Sequence, residues 1–291
     1  MSVFRELLGY SFIVNALVAG SAVAVASAAS GYFMVCRRAT FAGHALPNIG
    51  FAGAAGAVLV GIPPVYGLFA ITLLAAVAMG LFARDLRERD VTVGVIMTFT
   101  LGLGFLFLAL YSGYASRVYG ILFGSILGIS APEARLSVVT AAASMGILAF
   151  LHRPLLFSTF DPELARARGV PVVFLSVAFL VLLGVIVSIS VQLMGALLLF
   201  TLMVGPAAAV TRIVRRPLTA ICLSIILGLL YVWIGILAAA VSGTLPVSFC
   251  IATVSFLVYV PVRLFAGARP RAGRHPPGHR HAQVPPGEIV A

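Results

Sequence analysis

"SFIVNALVAGSAVAVASAASGYFMV" occupies residues 11–35 and runs up against Arg37 and Arg38. Its "ASAAS" resembles a leader cleavage site, so the run could be mistaken for a signal peptide. The run is too long for a leader's apolar region of roughly 7–15 residues, and the paired arginines have the character of a stop-transfer signal. We read it as a retained first helix, since ~20 apolar residues cross a bilayer. The rest of the chain agrees. Apolar residues make up 62% of it and charged residues 9%, against about 45–50% and about 25% in soluble domains. The chain reads as a polytopic membrane protein, an all-α helical bundle. No period-two alternation runs through it, so a transmembrane β-barrel is excluded.

Nine spans are expected, at 12–35, 42–61, 65–83, 91–111, 136–151, 172–191, 194–210, 218–241 and 247–265. Segment 118–130, "VYGILFGSILGIS", is too short to span and predicts a re-entrant or interfacial helix. The transmembrane domain covers 1–266 and leaves room for no sizeable soluble domain, so any energy-coupling domain is expected on another chain. Residues 267–291 are rich in Pro and Arg and predict a disordered basic tail. His275, His279 and His281 there are weak metal binders or simply parts of a lipid-contacting tail.

Orientation follows from arginine, because the chain has no lysine. Connections after spans one, three, five, seven and nine hold 2, 3, 3, 3 and 5 arginines, which is 16 of the 19. Only Arg5, Arg117 and Arg135 fall on the other side. The positive-inside rule then puts the amino terminus outside and the carboxyl terminus in the cytoplasm, as an odd span count requires. The formal charge of +11 becomes an inner-face feature that contacts anionic membrane lipid, not nucleic acid.

Outer connections such as "GIPP" and "SGTLP" are too small for a receptor domain. The longest structured inner loop is "FSTFDPELARARGVPV", residues 157–172. Asp161 suits the N-cap, Pro162 the first helical position and Glu163 the positive helix end, and Gly169 can close the helix. A helix over 162–168 is predicted. It is too short to persist alone in water, so it is either a well-capped connector or a coupling helix docked in a partner's groove.

Within "FAGHALPNIG", residues 41–50, His44 and Asn48 stand four apart on one helix face. Polar residues at membrane depth are functional candidates by default, so His44 lines a path or is an interfacial histidine. Asp90 reads as an interfacial cap of span four. Gln192 is placed in the turn between spans six and seven, lining a vestibule or satisfying the turn. Cys36, Cys222 and Cys250 lack C-x-x-C spacing and read as small core residues. None of Glu6, Asp85, Glu88, Asp90, Glu133, Asp161, Glu163 or Glu288 lies mid-span, whereas a secondary transporter is expected to bury coupling acids. The spans contain no H-E-x-x-H, no G-x-S-x-G and no His–carboxylate pair, so an intramembrane enzyme is not expected.

Several pieces, in order, carry a resemblance. They are "YSFIVNALVAG", Gly31 followed by "RRATFAGHAL", "RERDVTVGV", "LFGSILGIS", "FDPELARARGVPV", "SVQLMGALLLFTLMVGPAAAV" and "SGTLPVSF". The chain resembles the permease subunit of the zinc/manganese-type metal ABC importers, from about Tyr10 to Phe265. The resemblance implies a divalent metal cargo of the zinc, manganese and iron class, zinc or manganese first, carried into the cytoplasm of a bacterium across its inner membrane. It implies a second permease copy, most simply an identical one, a cytoplasmic ATP-binding subunit that does the hydrolysis, and an extracytoplasmic metal-binding protein. No cofactor is expected on this chain. The segment 160–170 resembles the loop that contacts the ATPase, which assigns that contact to Phe160, Asp161, Pro162, Glu163, Leu164, Ala165, Arg166, Arg168 and Gly169. The family pattern near span two resembles Gly-Asp-Ala-Leu-Ser-His, and here it reads Gly43-His44-Ala45-Leu46-Pro47-Asn48. His44 falls on the acid and Asn48 on the histidine. Imidazole suits zinc or manganese, and an amide carbonyl holds them weakly. The alternatives are a secondary transporter and an ABC permease for a non-metal solute.

Overall fold

A computed structural model describes residues 10–82, 89–111 and 128–267. The described residues form ten helices and no strand: α1 Ser11–Cys36, α2 Thr40–Leu59, α3 Pro64–Phe82, α4 Arg89–Leu110, α5 Ala131–Phe160, α6 Pro162–Ala167, α7 Val172–Met194, α8 Ala196–Val210, α9 Pro217–Ser242 and α10 Val247–Gly267. Seven of them are long and apolar enough to cross a membrane, namely α1, α3, α4, α5, α7, α9 and α10. The expected nine is therefore reached only if α2 and α8 are added. His44, Pro47, Asn48 and four glycines dilute the apolar content of α2. Helix α8 has 15 residues, about 22 Å at ~1.5 Å per residue, short of a ~30 Å hydrocarbon core.

Helix α1 lies inside the bundle with α5, α8 and α9 around it, and α2 lies against α3 and α4. Contact between α3 and α7 joins the two groups. Small residues set these crossings. A methyl group on Gly31 would overlap the Met203 carbonyl, and one on Gly53 would overlap the Gly67 carbonyl. In a bilayer, helix association relies on such close backbone approach, because lipid tails are as apolar as leucine.

Contacts along α1 fix the direction of its neighbours. Arg37 reaches Ser176 and Phe33 meets Phe179 at one end of α7, whereas Met194 at its other end lies against Gly20. Helix α8 then runs the other way, bringing Met203 back to Gly31. The chain thus reverses at Gly195, the one residue between α7 and α8, at the depth of Gly20 and not at the end of α1. Gly195 has φ 83° and ψ 160°, a conformation essentially restricted to glycine. Gln192 belongs to the last turn of α7 and not to a turn, which corrects its expected placement. Non-helical backbone at membrane depth requires protein cover, and Val191, Leu193, Met194 and Leu198 are buried.

Helix α5 also departs from expectation, with 30 residues where 136–151 was predicted. Ser130 and Glu133 form a capping box, with the Ser130 amide and hydroxyl donating to the Glu133 carboxylate at 2.9 and 2.7 Å. That starts the helix early, and Pro154 fails to stop it. At ~1.5 Å per residue α5 is about 45 Å long, more than a ~30 Å hydrocarbon core, so it tilts or projects beyond the core. Among the cysteines Cys250 is buried and Cys36 half-buried, but Cys222 is exposed, so it is not a core residue. Of segment 118–130 only 128–130 is described, where the Ile129 carbonyl accepts from Asn15 Nδ2 at 3.2 Å. The rest of that segment and the tail 268–291, with its three histidines, lie outside the described residues.

Candidate functional site

Helix α2 carries the polar pair into the bundle. Pro47 has no N–H, so the Gly43 carbonyl loses its helical donor. One residue on, the Asn48 side chain reinforces the ladder, donating Nδ2 to the His44 backbone carbonyl at 2.8 Å. The structure thus brings Asn48 to His44 through the backbone of its own helix, leaving the Asn48 Oδ1 as the group to face a ligand. His44 is half-buried among buried neighbours Gly43, Ala45 and Leu46. Its ring packs edge-to-face on Phe200 of α8, with centroids 5.0 Å apart and planes at 71°. The histidine therefore sits where α2 meets α8. Phe200 carries no signal in sequence that would pair it with His44. Among the described residues no three His, Cys, Asp or Glu side chains gather into a metal-holding group.

The second candidate lies at the arginine-rich end, where α5 gives way to α6. Asp161 Oδ1 accepts from the Leu164 amide at 2.9 Å, capping α6. The helix ends at Ala167, with Arg168 as its C-cap, one residue short of the expected bound. Gly169 has φ +78°, and the closing bonds run from the Gly169 amide to Arg166 and from Val170 to Ala165, at 3.0 and 2.9 Å. This double closure with a left-handed residue is the Schellman motif. Ala165 is wholly buried and anchors the helix, while Phe160 is 64% and Leu164 44% exposed. Glu163, Arg166 and Arg168 are exposed beside them. A capped helix held at the tip of α5 with an apolar crest and flanking charges has the form of a plug for a groove. Asp90 is exposed in the first turn of α4.

The family model described as "ABC 3 transport family" matches residues 9–266. Among curated relatives, a manganese transport system membrane protein, MntC, of Halalkalibacterium halodurans is 26% identical over 80% of this chain and 80% of its own length. The high-affinity zinc uptake system membrane protein ZnuB of Haemophilus influenzae is 24% identical over 81% of this chain and 90% of its own. Among solved structures, PsaBC from Streptococcus pneumoniae in complex with a Fab superposes with a TM-score of 0.78 at 23% identity, over 89% of this chain and 93% of that one. The helical bundle is thus a fold shared with PsaBC, and with the family match running over residues 9–266 the chain belongs to the ABC 3 transport family.

Proposed function

We propose that this chain is the permease subunit of an ATP-driven importer that passes a divalent transition metal, manganese or zinc, into the bacterial cytoplasm. The observation that carries the reading is α6, an anchored, capped helix that offers Phe160 and Leu164 at the arginine-rich end. A cytoplasmic ATPase subunit docks there, and an extracytoplasmic metal-binding protein delivers cargo to the opposite end. The relatives' names as manganese and zinc transport proteins support the cargo. Helices α2 and α8 act as two further crossings, shielded inside the bundle, which makes nine and leaves the amino terminus outside. A second, identical copy completes the pathway. His44 and the Asn48 carbonyl give the cation weak holding, which suits passage because the ion must also leave. The arginines contact anionic lipid.

Reconstitution of the chain with its ATPase and external binding protein tests this. Vesicles loaded with ATP are expected to take up radiolabelled manganese or zinc only when all three proteins are present. A complex that hydrolyses ATP yet moves neither metal would place the cargo among non-metal solutes. Failure to bind an ATPase would remove the importer reading.

A further inference from the structure

Arg37 ends α1 as its C-cap, and its side chain reaches two other helices. Nη1 donates to the Ser158 and Thr159 hydroxyls of α5, at 3.0 and 3.2 Å, and Nη2 donates to the Ser176 hydroxyl of α7, at 2.6 Å. The hydroxyl protons of Ser158 and Thr159 go to the Leu155 carbonyl, so their oxygens are left to accept from the guanidinium. The Arg37 carbon also sits 5.8 Å from the centre of the Phe179 ring of α7, within cation–π range. The fork is therefore split between the two helices that enter and leave α6. A lysine's point charge does not reproduce that planar division.

Two features set Arg37 apart. Arg38, Arg153, Arg166, Arg168, Arg212, Arg215, Arg216 and Arg263 are exposed, as a lipid-facing charge band would be, whereas Arg37 is half-buried. The chain beyond it is also stiff. Arg38 is the non-glycine residue with positive φ among the described residues, at 53°. The Ala39 amide closes back on Met34 at 2.8 Å, and a methyl group on Gly43 would overlap the Met34 sulfur. The first turn of α2 is thereby seated on the last turn of α1, and His44 follows directly.

We infer that Arg37 is a positioning residue for transport, the joint through which movement of α6 is passed to the α1–α2 elbow and so to His44. This rests on the permease reading above, with α6 as the ATPase contact. In this role the side chain holds the packing and does not bind cargo or ATPase. It keeps the base of the α5–α6–α7 hairpin and the start of α2 moving as one piece. Without it the hairpin can be displaced while α2 stays behind.

The test uses the complete transporter with ATPase and external binding protein, and manganese and zinc as probes. Arg37→Gln is expected to retain the ATPase subunit on purification but to lower metal uptake per ATP hydrolysed about tenfold, within the range found for residues that link two sites. Arg37→Lys is expected to recover part of that ratio, since it keeps the charge and three donors. Ser158→Ala, Thr159→Val and Ser176→Ala combined remove the acceptors and leave Arg37 in place, and they are expected to uncouple in the same way. A wild-type ratio in Arg37→Gln and in the triple variant overturns the inference. Loss of assembly in both would also overturn it, by reducing Arg37 to a folding contact. A wild-type complex that transports neither metal counts against the permease reading instead, so the two failures are distinct.

Discussion

At the residue scale, the half-buried histidine on α2 has two possible reasons to be there, and its contact with Phe200 separates them. If His44 is only an aromatic plug, phenylalanine should serve as well, because an edge-to-face pair is worth about 0.5–1.5 kcal/mol whichever ring supplies it. If it meets the cation, phenylalanine fails as badly as alanine. We expect His44→Ala and His44→Phe both to cut manganese or zinc uptake by at least tenfold, a barrier change of about 1.4 kcal/mol. Assembly with the ATPase should be unchanged, most clearly in His44→Phe, which keeps an aromatic ring against Phe200. Uptake at the wild-type rate in His44→Phe would leave the residue as packing. The spacing of His44 and Asn48 was legible in sequence because a helix puts i and i+4 on one face. The amide's bond to its own backbone was not, because it depends on the rotamer that Asn48 takes in the folded bundle. Phe200 and the Arg37 acceptors were equally hidden, being pairings between distant segments.

At the element scale, α6 was readable almost to the residue, and the reason is that the signals setting its two ends are local. Asp161, Pro162 and Gly169 fix its ends by backbone chemistry within a few residues. Helices α5 and α8 were less readable, since Pro154 looks like a stop and Gly195 looks like any other small residue. Their outcomes depend on neighbours that shelter irregular backbone. The locality of α6 also makes it easy to melt without harming the bundle. Asp161→Ala removes the cap at 2.9 Å at a cost of about 1 kcal/mol. Leu164→Gly costs about another 1 kcal/mol and takes away part of the exposed crest. Together they are expected to abolish retention of the ATPase subunit and ATP-driven uptake, while the permease keeps its melting temperature in detergent. Retention of the ATPase by the double variant would show that docking lies elsewhere.

At the scale of the whole molecule, the open quantity is the number of crossings, and parity decides it. Exposed Pro63 and Thr244 lie at the end opposite the exposed arginines Arg38, Arg166 and Arg215. Between Pro63 and Thr244 the chain passes through α3, α4, α5, α7, α8 and α9. If α8 crosses, that is an even number and the two positions share a side; if only the seven long apolar helices cross, they do not. Helix α2 is tested in the same way by Arg38 against Pro63, and α8 again by Arg166 against Arg215. With Cys36, Cys222 and Cys250 replaced, single cysteines at these five positions report to a membrane-impermeant thiol reagent on intact cells. We expect Pro63→Cys and Thr244→Cys to react, and Arg38→Cys, Arg166→Cys and Arg215→Cys to react only after permeabilisation. Labelling of Pro63→Cys but not Thr244→Cys would take α8 out of the count. The full reverse pattern would keep nine crossings but invert the protein. That inversion would break the positive-inside rule and put α6 on the side where no ATP is available to it.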